Sequence, residues 1–336
     1  MNAAPLLFAP RAARPFAGRM ASALGLELAP LEEREYEGGE HKSRPLVSVR
    51  GRAVYIVQSL SGDAAASAND RLCRVLFLIA AVKDAGAARV TACLPYLAYA
   101  RKDRRNKERD PVNARYVAQL FEAVGVDHVI AMDVHNVAAF ENAFRCSVDL
   151  LEAAPLLAEH VVARSSGEPL AIVSPDIGGA KRAQRLQDLV VARRPLDVAL
   201  AIFEKRRDSG VVSGELLVGP VEGRHVVIID DLISAGTTVL RATQACRAAG
   251  ARSVTAFATH GVFAPGAERL LDRDGPDRLL VTDSISPLRL QPRGGEEHRL
   301  EVIAASALFA EAVRRIEAGE SVVALREMER KPLPTE

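Results

Sequence analysis

The chain has 336 residues, and its 44 Lys and Arg against 43 Asp and Glu leave a formal net charge of +1. That length suggests about two domains of roughly 150 residues each, and 49% hydrophobic with 26% charged content is ordinary for a globular chain. The balance argues against non-specific nucleic-acid binding, which needs a broad cationic surface, and 23 Gly with 18 Pro exclude collagen-like and low-complexity classes.

The N-terminal stretch Met1 to Pro10 is apolar but broken by Pro5 and Pro10, with no basic segment before it, so it does not read as a leader. Ala53 to Val57 (AVYIV) predicts a strand covered on both faces. Asn69 or Asp70 then caps a helix with Leu72, Val75, Leu76 and Ile79 on one face, ending near Gly86. Its longest apolar run, Val75 to Val82, is far short of the ~20 residues of a membrane span. A strand follows at Arg89 to Leu94. Asp110-Pro111 opens another helix, the acid as N-cap and proline in the first turn, and it stops at Gly125. His128 to Met132 returns as a strand ending in Asp133.

A second series begins after the polar stretch Arg164 to Pro169, with strands at Leu170 to Val173, Val198 to Phe203, Val226 to Ile229 and Val254 to Ala258. Helices at about Gly179 to Val191 and Gly236 to Ala249 separate them. This alternation is the one that parallel α/β architectures require, and it predicts two α/β halves of similar size. The expected domains are 1–155 and 156–320, followed by a tail at 321–336. Cys73, Cys93, Cys146 and Cys246 form no CxxC pair, which favours a reducing, cytoplasmic location over a disulfide framework or zinc site.

The strongest local signal is His225 to Thr238, HVVIIDDLISAGTT: an apolar strand ends in Asp230 and Asp231 and runs through small residues into a helix. Ser234, Ala235, Gly236, Thr237 and Thr238 let backbone N–H groups approach a phosphate at a helix N-terminus. The two carboxylates beside them can accept from ribose hydroxyls. Met132 to His135 (MDVH) and Ser174 to Arg182 (SPDIGGAKR) end two other strands, where open α/β sheets place ligands. By themselves, capping or a tight turn explains them as well. Arg101 to Arg109 carries six cations and two anions, and Glu204 to Asp208 holds three adjacent cations before Ser209-Gly210. Each reads either as a solvated surface run or as a polyphosphate clamp. Neither a Walker A pattern nor a GxGxxG after a strand occurs.

Taken in order, YIVQS, PYLAYARKDRR, MDVH, VSPDIGG, EKRR, VIIDDLISAGTT, ATHGVF and ALFAEAVRRI resemble the ribose-phosphate diphosphokinase (phosphoribosyl pyrophosphate synthetase) family from about Glu37 to Leu325. The resemblance implies an α/β fold of two tandem type I phosphoribosyltransferase-like domains, each a mainly parallel sheet flanked by helices. It implies Mg²⁺-dependent transfer of the diphosphoryl group of ATP to the anomeric hydroxyl of ribose 5-phosphate, leaving AMP. By the same resemblance, Lys205 and Arg207 are catalytic, and Asp230, Asp231 and Ser234 to Thr238 (Ala235, Gly236 and Thr237 between) hold ribose 5-phosphate. Tyr36, Gly38, Gly39 and Glu40 from a neighbouring subunit bind ATP with Arg101, Lys102 and Asp103, while His135, Asp176 and Asp133 serve the metal. The implied partners are ATP, ribose 5-phosphate and other copies of the chain, in a dimer-based homo-oligomer or hexamer, with no nucleic acid and no membrane. Two alternatives stand beside it: a phosphoribosyltransferase consuming the activated sugar, and a non-catalytic synthetase-associated subunit. Lys102 stands where many members have Gln, and Ser234-Ala235 replaces the frequent Asp-Thr.

Overall fold

The computed structural model describes residues 4–208, 211–286, 288–292 and 297–327, with side chains left undescribed at 205–208, 211–215, 297 and 327. In chain order the elements are β1 (Leu6–Phe8), α1 (Arg14–Leu24), β2 (Leu31–Glu35), β3 (His41–Pro45), β4 (Ala53–Val57), α2 (Ala68–Asp84), β5 (Arg89–Leu94), α3 (Asn113–Ala123), β6 (His128–Met132), α4 (Val137–Ala143) and β7 (Ser147–Leu151). They continue as α5 (Ala154–Arg164), β8 (Leu170–Ser174), α6 (Ala180–Arg193), β9 (Val198–Asp208), β10 (Val211–Val218), β11 (His225–Ile233), α7 (Thr237–Ala248), β12 (Ser253–Gly261), β13 (Arg278–Thr282), β14 (Leu300–Ile303) and α8 (Ser306–Ala318).

Contacts divide the chain into two units. The first runs up to Glu152 and resumes at Ala305, with a short segment beginning at Ser284; the second takes in Ala153–Asp283 and Leu288–Ala304. The C-terminal helix α8 groups with the first unit, where the Phe16 and Phe309 rings meet edge-on at 5.5 Å. A single boundary near 155 with the second domain running on to 320 therefore does not describe the contacts.

The first unit holds a sheet in the order β1-β4-β5-β6-β7, every pairing parallel. Val54, Ile56 and Val57 of β4 have no exposed surface and Tyr55 only 1%, as a strand covered on both faces requires; each such side chain contributes about 1.5–3 kcal/mol by burial. Helix α2 begins at Ala68 and is capped by Ser67, ahead of the expected caps Asn69 and Asp70. Ser67 and Asp70 form a reciprocal capping box, which satisfies two end N–H groups where a single cap satisfies one. Helix α3 begins at Asn113 with no side-chain cap. The expected cap Asp110 is occupied instead within the preceding loop.

The hairpin β2–β3 forms a separate two-stranded sheet. Its strands, LEERE and HKSRP, are held by cross-strand charge, with Arg44 Nε donating to Glu32 Oε2 at 2.6 Å and Lys42 Nζ to Oε1 at 3.4 Å. The second unit has the sheet order β10-β9-β8-β11-β12-β13-β14, parallel throughout except for β10 against β9. Val226, Ile228, Val254, Ala256, Leu279 and Val281 pack with Val239, Leu240 and Cys246 of α7. Strand β9 runs on to Asp208, five residues past the expected end, because antiparallel pairing with β10 extends it. Among the described residues, no helix is long and apolar enough to cross a membrane.

Candidate active site

In the second unit, the candidate residues gather at the carboxyl ends of β8 and β11, where this architecture places ligands. Strand β11 delivers Asp230 and Asp231, and Asp230 Oδ1 accepts from the Asp231 N–H at 2.8 Å. Arg182, from the first turn of α6, brings Nη1 to 3.5 Å from Asp230 Oδ1 and 3.9 Å from Asp231 Oδ1. Burial, and then Asp231, push the Asp230 carboxyl up to about 8; Arg182 opposes them.

After β11 the chain turns at Gly236, whose φ of 76° is left-handed and starts α7. A Cβ there would lie 2.6 Å from Leu270 Cδ1, so the position needs glycine twice over. The turn is pinned from β12's extension: the Phe263 N–H donates to the Ile233 carbonyl at 3.0 Å and the Ala264 N–H to the Ser234 carbonyl at 3.2 Å. Ala235 and Thr237 are exposed, Ser234 and Thr238 half-buried. A first helical turn leaves its leading N–H groups without intrahelical acceptors, and such a turn accommodates an anion.

At the end of β8, Asp176 Oδ1 accepts from the Gly179 N–H at 2.9 Å and the Ser174 hydroxyl donates to the Asp176 carbonyl at 2.6 Å. The carboxylate thus caps its own turn. Lys205 and Arg207 lie on the final residues of β9, in register with Glu215 and Val212 of β10. They sit on a hairpin strand rather than in a loop, and their side chains lie outside the described residues.

The first unit brings a second set together at the carboxyl ends of β5 and β6. Asp133 follows β6 with a left-handed backbone at φ 40°. His135 is exposed, and the next residue, Asn136, donates from Nδ2 to Asp103 Oδ2 at 2.7 Å. This bond joins the basic segment to the MDVH turn. Arg101 is exposed, whereas the Lys102 ammonium donates to Asp110 at 2.7 Å. Tyr36 to Glu40 form the tip of the β2–β3 hairpin, closed by the Tyr36 N–H to the Glu40 carbonyl at 2.8 Å, with Gly38 and Gly39 at φ 87° and 88°. The Arg34 guanidinium lies 5.1 Å over the Tyr36 ring. Among the described residues, no hydrogen bond joins this tip to the 101–110 segment. Nor do three or more His, Cys, Asp or Glu side chains cluster to hold a metal.

Sequence reasoning missed Arg182, Asn136 and the role of Asp110. For Arg182 a signal exists: a cation in the first turn of a helix opposes the dipole, so it implies a carboxylate partner nearby.

Two parallel-sheet units, one carrying an acidic pair at a strand end before a glycine turn and helix, define an α/β protein of the phosphoribosyltransferase-like class. The N-terminal domain of ribose phosphate pyrophosphokinase matches residues 6–125, and the phosphoribosyl synthetase-associated domain matches residues 210–326. A ribose-phosphate pyrophosphokinase of Vibrio cholerae is 37% identical over 321 residues, 95% of this chain and 98% of its own. One from Caldanaerobacter subterraneus is 37% identical over 309 residues, 91% of this chain and 92% of its own. The crystal structure of phosphoribosylpyrophosphate synthetase from Mycobacterium smegmatis superposes with a TM-score of 0.84 at 30% identity, covering 95% of this chain and all of that one. The chain belongs to the ribose-phosphate pyrophosphokinase family.

Proposed function

We propose that this chain transfers the diphosphoryl group of ATP to the anomeric hydroxyl of ribose 5-phosphate, giving 5-phosphoribosyl 1-diphosphate and AMP. The observation that carries this reading, beside family membership, is the Asp230–Asp231 pair running directly into the Gly236 turn and the N-terminus of α7. A sugar phosphate has the matching polarity: hydroxyls for the carboxylates, and a dianion for the helix end. The Ser234-Ala235 variation is compatible, because phosphate binding there uses backbone N–H groups and needs little bulk.

The division of labour follows. The α7 N-terminus from Ser234 to Thr238 holds the 5-phosphate, while Asp230 and Asp231 fix the ribose hydroxyls. The basic segment from Arg101 to Arg109 holds ATP, completed by Tyr36 to Glu40 of a neighbouring copy in a homo-oligomer. The anomeric oxygen attacks the β-phosphorus, loses its proton, and the bond to the α-phosphate oxygen breaks to release AMP. Lys205 and Arg207 neutralise the charge that builds on the transferring group, which is most of what such a reaction asks of a protein.

Mg²⁺ fits the residues present. It prefers oxygen donors, keeps several waters and binds through one or two carboxylates plus substrate phosphates, so the lack of a preformed three-residue cluster among the described residues is compatible with it. Each unit offers one such carboxylate, Asp133 in the first, with His135 two residues on, and Asp176 in the second. When bound, the ion screens the polyphosphate charge. A reducing, cytoplasmic setting matches the free cysteines at 73, 93, 146 and 246.

The test is AMP formation from ATP with Mg²⁺, with and without ribose 5-phosphate. AMP should appear only with both substrates, and Lys205→Ala should lower kcat by about 100-fold or more. A folded wild-type protein that makes no AMP, or that releases pyrophosphate from the activated sugar and a base without ATP, would sink the proposal.

A further inference from the structure

The segment between β5 and α3 is held by one carboxylate. Asp110 Oδ2 accepts from Lys102 Nζ at 2.7 Å and from the N–H groups of Asn106 and Lys107 at 3.2 Å each. Arg105 Nε donates to the Asp110 carbonyl at 3.2 Å, and the Ala114 N–H donates to the Lys102 carbonyl at 3.2 Å. The loop is therefore closed at its neck, and the Lys102 ammonium is engaged there rather than at its rim. Arg101, Arg104, Arg105, Lys107 and Arg109 are all exposed around that rim. On the far side, Asp103 accepts from Asn136 at 2.7 Å, which fixes the loop to the turn carrying His135.

Five exposed cations in nine residues repel one another, so such a loop needs an internal anion to stay compact. Asp110 meets that need. Lys102 first, then the Asn106 N–H, hold its carboxyl below the usual range, so it remains ionised at any working pH. Charge-assisted bonds to both a side chain and two backbone N–H groups also fix the conformation of the backbone, which an ordinary surface ion pair does not.

We propose that Asp110 is the positioning residue of the nucleotide loop and Lys102 its anchor. Together they present the rim cations as a preformed polyphosphate site, and Lys102 does not itself bind nucleotide. The proposal rests on the reading of this loop as the ATP site. It revises the resemblance-based role of Lys102, and it gives a physical reason for lysine at that position: the residue serves the fold of the loop.

The rival role has the opposite sign. Were Lys102 a phosphate ligand held back by Asp110, removing the carboxylate would free it and tighten ATP binding. Steady-state kinetics of full-length Asp110→Ala, Asp110→Asn, Lys102→Met, Lys102→Arg and the Lys102→Met/Asp110→Ala double variant, varying ATP and ribose 5-phosphate separately, decide between them. Asp110→Ala should raise the KM for ATP about fivefold or more, with kcat and the KM for ribose 5-phosphate within about twofold. Lys102→Met should do the same to the KM for ATP, the double variant should be no worse than either single one, and Lys102→Arg should restore near-normal KM. Asp110→Asn, keeping an acceptor without the charge, should fall between. Hydrogen exchange supplies a readout independent of turnover: the Asn106 and Lys107 amides should exchange about tenfold faster in Asp110→Ala. An unchanged or lower KM for ATP in Asp110→Ala, additive effects in the double variant, or unchanged amide exchange would each overturn the proposal. A wild-type protein inert toward both substrates would overturn the functional reading instead, and the exchange experiment would still judge the anchor.

Discussion

Arg182 Nη1 stands 3.5 Å from Asp230 Oδ1, the closest charge opposing the burial that pushes this carboxyl up to about 8. Asp231 adds a second carboxylate on the same strand, and Arg182 is the cation that keeps the Asp230 carboxyl from rising further. Replacing Arg182 with Gln keeps much of the size and removes the charge. The carboxyl should rise further, and the pH at which ribose 5-phosphate binding reaches half its maximum should move up by about one unit. Measuring the KM for ribose 5-phosphate from pH 6 to 9 checks this. A weakened but unshifted profile would show that Arg182 acts on the sugar phosphate and not through Asp230.

The same carboxyl makes the fold sensitive to pH. Its pKa is raised from 3.8 to about 8, so between these values the folded protein keeps a proton that the unfolded chain has lost. Unfolding free energy then falls as pH rises across that window, and the loss is complete above the folded value. Asp230→Asn removes the titration. The variant's advantage should be smallest near pH 4 and should grow through the window, to about 3 °C or more at pH 8.5 in the absence of ligand. A melting difference that is flat from pH 5 to 8.5 would show that Asp230 is ionised throughout.

Gly236 joins the fold to the proposed phosphate site through backbone geometry. Its φ of 76° disfavours any residue with a Cβ, and Leu270, which that Cβ would meet, is itself 1% exposed and has no solvent to move into. Gly236→Ala should cost about 2 kcal/mol or more through strain and overpacking, read as a lower urea midpoint. Because α7 starts at the next residue, the surviving folded protein should also bind ribose 5-phosphate more weakly. A stable variant with normal KM would mean that the turn relaxes without moving the helix.

Much of this architecture is legible locally. AVYIV matches β4 from Ala53 to Val57, because a strand buried on both faces needs only an unbroken apolar run. HVVIIDDLISAGTT likewise folds as strand, turn and helix where its glycine falls. The hairpin LEERE–HKSRP was not legible, since charge pairs such as Glu32 with Arg44 hold it and neither strand has an apolar face. Asp110 before Pro111 has the sequence of a helix cap, yet its carboxylate turns back to Lys102, a choice made by contacts across the loop. The packing of Phe309 on Phe16 joins residues almost three hundred positions apart, beyond any local pattern. The proposed site roles come only from the ordered motif set, and the contacts of Arg182 with Asp230 and of Asn136 with Asp103 join residues far apart in the chain.

Asn136 does two things with one amide, and they can be separated. Its Oδ1 caps α4 by accepting from the Ala139 N–H at 3.1 Å, while Nδ2 donates to Asp103 at 2.7 Å. Asn136→Ala removes both, so it should lose about 1 kcal/mol of stability through the missing cap and raise the KM for ATP as the basic loop comes away from the MDVH turn. Asn136→Asp keeps the capping oxygen, and a negative charge at a helix start is favourable. It cannot donate to Asp103, however, and places a second carboxylate against it. That variant should melt close to the wild type and still show a KM for ATP raised about threefold or more. Paired thermal unfolding and ATP saturation curves for the two variants test this. If the Asp variant binds ATP normally, the Asp103 link carries no part of the nucleotide site, and the contribution of Asn136 ends at the cap.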